Sequence, residues 1–89
     1  MRRAEEAEDR AQIAWALGTL GLVAAEAGEL ERAVELLARA TEKARDAGLW
    51  LPAAGEIEGA LAQCRENLGD DRYRAAYDAG VSAAVEARG

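Results

Sequence analysis

The chain has no histidine, no phenylalanine, one cysteine and one proline among its 89 residues. Each scarcity excludes something. Without His, and with Cys64 alone, no zinc, haem or Cys–His site can be assembled, and Ser82 has no imidazole base to activate it. A single Cys forms no internal disulfide, so nothing implies an oxidising compartment. Eleven Lys and Arg stand against seventeen Asp and Glu, a formal net charge of −6. The basic residues do not cluster, so nucleic acid and anionic lipid are repelled. No Gly-rich phosphate loop ending in Lys-Ser or Lys-Thr occurs. General acid–base chemistry would rest on isolated carboxylates. The expectation is a protein that is not an enzyme, takes no cofactor or metal, and has a protein or peptide partner.

Long apolar runs are also scarce. The one candidate, Ala11 to Ala25, has only Gln12 and Thr19 as polar members. At fifteen residues it falls short of the ~20 needed to span a bilayer. Glu5, Glu6, Glu8 and Asp9 separate it from Arg2 and Arg3, whereas a signal peptide needs a positive leading segment. A cytoplasmic chain is expected, with this run forming a helix buried on more than one side.

What is abundant is alanine, 23 residues of 89, followed by ten Leu. Alanine is the best helix former, and Leu, Glu and Arg follow closely. Glycines and the proline divide the chain into four segments. The first runs from about Arg3 to Ala27 before Gly28, and the second from about Leu30 to Ala47 before Gly48. A third begins near Pro52, a residue tolerated in a first helical turn, and runs to Leu68 before Gly69. Asp70 or Asp71 is expected to cap the fourth, which reaches about Ala87. Each segment carries a helical stripe: in the second Leu30, Ala33, Leu37, Ala40, Ala44 and Ala47 fall three or four apart, in the third it is Ile57, Leu61, Cys64 and Leu68, and in the fourth Tyr73, Ala76, Tyr77, Gly80, Val81, Ala84 and Val85. Glu35 and Arg39 are spaced for an intrahelical ion pair. No segment alternates with period two. Connections of two to five residues imply antiparallel neighbours, so an all-α single domain over residues 1–89 is expected.

The chain also matches itself. At a shift of 41, Gly18 meets Gly59, Leu20 meets Leu61 and Gly28 meets Gly69; beyond that glycine the best shift is 43, where Leu30 meets Tyr73 and Ala33 meets Ala76. This reads as two helix-turn-helix units, about 3–47 and 52–87, stacked as in a helical repeat array. A four-helix bundle is the alternative. The first and fourth helices barely touch in stacked hairpins and pack along their lengths in a bundle.

Leu17, Leu20, Gly21, Ala24, Gly28, Leu30, Ala33, Leu37 and Ala40 together resemble the signature of the tetratricopeptide repeat. The segment Leu68 to Gly80 resembles one near the end of the helical-repeat region of actinobacterial LuxR- and MalT-type signalling ATPases. Taken as a resemblance, this implies a protein–protein interaction module, a segment of or partner to a bacterial regulator. It further implies that Leu20, Gly21 and Ala24 face the second helix. Trp15, Gly18, Leu22, Ala25 and Glu26 would face a concave groove, opposite Glu56, Gly59, Gln63, Glu66 and Asn67. The candidate partner-binding residues are therefore Trp15, Gly18, Leu22, Ala25, Glu26, Gln63 and Asn67.

Other candidates read more plainly as structure. Asp70, Asp71 and Arg72 suit a helix N-terminus, where carboxylates oppose the positive end of the dipole. Tyr73 and Tyr77, four apart, suit core packing with hydroxyls at the rim. Cys64 shares a stripe with Ile57 and Leu61 and reads as a small buried hydrophobe. The apolar first helix leaves one further expectation, a homodimer that buries it against its symmetry mate around Trp15, Leu22 and Trp50. The alternative function is then a self-associating structural protein without a separate ligand.

Overall fold

A computed structural model describes residues 2–46, 48 and 54–86, with side chains described over 12–45, 48 and 55–84. The chain is all-α. Four helices follow in order: α1 (Arg2–Glu26), α2 (Leu30–Asp46), α3 (Ala54–Leu68) and α4 (Asp70–Glu86), with no strand among the described residues. The expected helix start at Pro52, the residue Trp50, and the expected ends at Ala47 and Ala87 lie outside the described residues. No helix among the described residues is long and apolar enough to cross a membrane.

The first break is a local consequence of Gly28. It sits at φ +83°, its N–H donates to the Ala25 carbonyl, and the Glu29 N–H reaches back to Ala24 at 2.9 Å. This paired closure satisfies carbonyls that the end of α1 would otherwise leave without partners. The third break works differently from expectation. Gly69, at φ +87°, donates to Arg65 and its own carbonyl accepts the Tyr73 N–H at 3.0 Å. Gly69 thus ends α3 and begins α4 at once. Asp70 and Asp71 fall inside the first turn of α4 and do not cap it.

α2 is the centre of the molecule. Ala33, Val34, Leu37, Ala38 and Ala40 are all fully buried. The expected stripe accounts for Ala33, Leu37 and Ala40. Val34 and Ala38 lie to one side of it and are buried because α4 covers a second face of the same helix. α1 packs along α2 on one side and α4 packs along it on another, while α3 touches α1, α2 and α4 more lightly. Among the described residues α1 and α4 make no contact, the arrangement of stacked hairpins and not of a closed bundle. The molecule is accordingly elongated, 45 × 25 × 18 Å.

Two glycines permit the close approaches. A Cβ on Gly21 would lie 2.6 Å from Leu37 Cδ2. A Cβ on Gly80 would lie 2.9 Å from Ala38 Cβ and would also meet the Glu35 carbonyl. One expected ion pair is missing: Glu35 and Arg39 do not pair, and Arg39 Nε is buried without a hydrogen-bond partner. Arg72 Nη2 from α4 instead bonds Glu31 Oε1 at the start of α2, at 2.7 Å. At Gly80 an added methyl gains about 1 kcal/mol of helix propensity, but overpacking costs about 1–3 kcal/mol. At Gly59 a Cβ meets nothing within 4 Å, so the propensity gain is unopposed. We expect Gly80→Ala to lower the urea midpoint and Gly59→Ala to raise it, in the same equilibrium unfolding assay.

Candidate functional site

α1 was expected to be buried on more than one side; it is buried on one. Ala14, Gly18, Gly21 and Ala24 face inward. Ile13, Trp15, Leu20 and Val23 are 47%, 61%, 56% and 56% exposed. The expected contact of Leu20 with the second helix is therefore incorrect. Leu20 lies about 100° around the helix from Gly21, and of the three residues expected to face α2, Gly21 and Ala24 are the buried ones.

α1 and α3 run in the same direction where they meet, with Gly18 against Ile57 Cδ1 and Leu22 and Glu26 level with later turns of α3. Their lighter contact leaves a groove of about 610 Å³ between them. It is lined by Leu22, Ala25 and Glu26 of α1, Leu30 of α2, and Glu56, Ala60, Gln63, Cys64 and Asn67 of α3. Of the candidate partner-binding residues, Leu22, Ala25, Glu26, Gln63 and Asn67 come together here. Gly18 does not line the groove: it is buried beneath Ile57, with Ala40 beyond. Trp15 shares the α1 face of Leu22, seven residues earlier, but is not among the lining residues. Gly59 and Glu66 also stay out of the lining, on the outer side of α3.

Leu30, Ala60 and Cys64 also line the groove, beyond the residues expected from the sequence. Ala60 carried a signal, since Glu56, Ala60, Gln63 and Asn67 follow one another at spacings of four, three and four along one helical face. Cys64 is 1% exposed, and burial pushes its thiol above the usual range. It is a packed, protonated group at the groove floor and a poor nucleophile. Asn67 Nδ2 donates to the Gln63 carbonyl at 2.9 Å, which fixes that amide on the rim and leaves its Oδ1 as an acceptor.

A second, smaller depression of about 270 Å³ lies at the α3–α4 corner, lined by Arg65, Asp70, Tyr73, Arg74, Tyr77 and Asp78. The Tyr73 and Tyr77 rings are 5.9 Å apart and tilted by 38°, both half-buried. Burial, chiefly, raises the Tyr73 phenol. Arg65 Nε donates to Asp70 Oδ1 at 2.7 Å, and its guanidinium lies 5.9 Å from the Tyr73 ring centroid. These groups satisfy one another, and the corner reads as a structural clasp across the tight α3–α4 turn. Among the described residues no cluster of three carboxylate, thiol or imidazole groups is suited to a metal ion.

No family model, curated protein or solved structure matches the chain.

The clasp makes a pH prediction. The hydrogen bond from Arg65, then its charge, holds the Asp70 carboxyl below the usual carboxylate value. A depressed folded-state value contributes stability above the unfolded-state value, about 4, and the contribution disappears as pH falls through the lower folded value. Asp70→Asn should therefore lower the urea midpoint slightly at neutral pH. In acid below the folded value the two chains should unfold at the same urea concentration.

Proposed function

We propose that the chain is a protein–protein interaction module, catalytically inert, whose α1–α3 groove receives a segment of a partner protein. The observation that carries this reading is the groove itself. Leu22, Ala25, Leu30 and Ala60 give it an apolar floor, and Glu26, Glu56, Gln63 and Asn67 give it a polar rim. That combination suits recognition, since apolar area supplies affinity and sparse polar groups fix orientation. Its volume falls within the range of ligand-binding clefts. The tetratricopeptide resemblance of the α1–α2 hairpin supports the same reading. The likeness of 68–80 to the repeat region of LuxR- and MalT-type regulators supports a cytoplasmic segment of, or partner to, a bacterial regulator.

A photo-crosslinking amino acid at Ala25, in the groove, should yield discrete protein adducts in the cell of origin. The same group at Arg74, on α4 and outside the groove, should not. Equal labelling from both positions, or from neither, would refute the groove as a docking site.

A second reading follows from the opposite side of α1. Ile13, Ala16, Leu20 and Val23 are spaced three, four and three apart and are all exposed. This is the spacing of a helix–helix seam, and alternating Ala16 with larger neighbours lets one copy fit against another. In this reading the chain is a homodimer through α1, with the groove left open on a flank. Sedimentation at low micromolar concentration should show a dimer that Leu20→Glu dissociates without loss of helix content. A wild-type monomer at that concentration would eliminate the dimer.

A further inference from the structure

The groove carries charge of one sign. Among the described residues its lining contains two carboxylates, Glu26 on α1 and Glu56 on α3, and no Lys or Arg. Arg65, next to the groove-floor Cys64, is held by Asp70 at 2.7 Å, and it lines the separate corner depression together with Arg74. A peptide entering the groove therefore meets two carboxylates with no compensating positive group among the described lining residues, in a chain whose net charge is already −6.

The two carboxylates are also separated along the groove. Glu56 neighbours Ile57, which abuts Gly18, while Glu26 lies eight residues further along α1. At 1.5 Å per residue this puts them about 12 Å apart along the helix axes. Leu22, Ala25 and Ala60 lie between them. The pattern is acid, apolar floor, acid.

We infer that the groove's occupant is a basic amphipathic protein segment, with apolar side chains seated on Leu22, Ala25 and Ala60 and a Lys or Arg toward each of Glu26 and Glu56. This rests on the reading of the groove as a docking site and adds the chemistry of its ligand. An acidic segment would set like charges together at both ends. A purely cationic segment would leave the apolar floor wet. Gln63 and the Asn67 Oδ1 supply hydrogen-bonding groups along the rim. Both carboxylates are exposed, so each sets preference more than strength, about two- to fivefold in affinity.

The test is selection of phage-displayed random peptides on the intact chain, with fluorescence anisotropy of the enriched sequences. Enriched peptides should place apolar residues between Lys or Arg and should lose binding to Ala60→Arg. Each should weaken about two- to fivefold on Glu26→Gln and on Glu56→Gln, both at exposed positions. Selection on the Glu26→Lys, Glu56→Lys double variant should turn toward acidic sequences. Circular dichroism checks the fold of each variant, and Gln63→Trp, at the exposed rim, repeats the blocking test if Ala60→Arg unfolds. Peptides that lose binding to the blocked groove but are neutral or acidic would overturn the cationic inference and leave the docking site standing. No enrichment, or enrichment indifferent to both blocking variants, would overturn both.

Discussion

Everything else in this molecule depends on how closely α1 and α4 can approach α2. The approaches are made at Gly21 over Leu37 and at Gly80 over Ala38, where a methyl group would already collide. Helix separation is set by the side chains at the contact, and here one side of each contact is a bare Cα. The cost of this design is a core poor in large groups. The largest fully buried side chains are Leu37, Val34 and Cys64, and most of the remainder is alanine. Each buried alanine removes little apolar area from water, so stability depends on close packing over the length of α2.

With two faces of α2 taken by α1 and α4, α3 is left the lightest packing in the fold. Ile57 and Cys64 anchor it inward, while Leu61 and Leu68 are only half-buried. α3 is also tied directly to α4 through Gly69, which belongs to both helix ends, and through the Arg65–Asp70 pair. The start of α4 is in turn bonded to α2 through Arg72 and Glu31. The groove lies between α1 and α3, the helix pair with the lightest contact among those that touch.

The helices were legible because their signals are local. Gly28 and Gly69 stand where left-handed residues end helices, and the apolar spacing of α2 marked Ala33, Leu37 and Ala40. What was not legible was anything decided by a second contact on the same helix. Ala38 is buried where Gly80 of α4 arrives, and Val34 belongs to a cluster with Ala24, Cys64 and Ala76 from three other helices. Asp70 looked like a cap because its side chain suits one, but Gly69 already supplied the helix-starting carbonyl one residue earlier. The α3 side of the groove followed from spacing, through Gln63 and Asn67. Leu30 and Cys64 did not, since their place in it depends on where α2 meets the gap.

α1 was the hardest helix to read, for a reason that bears on function. Its apolar residues surround it, so no stripe points to a core. Three faces nevertheless have distinct chemistry. Ala14, Gly18, Gly21 and Ala24 are the small residues that let α2 and α3 come close. Leu22, Ala25 and Glu26 wall the groove. Ile13, Ala16, Leu20 and Val23 point to solvent. The first holds the fold, the second adds Ala25 at the edge of the core, and the third takes no part in it. A helix that needed nothing beyond folding would carry polar residues on the other two, as α2 does at Glu31, Arg32 and Glu35. Exposed Ile13, Leu20 and Val23 instead leave apolar area in water with no return among the described residues, which is the condition under which a surface gains by being covered.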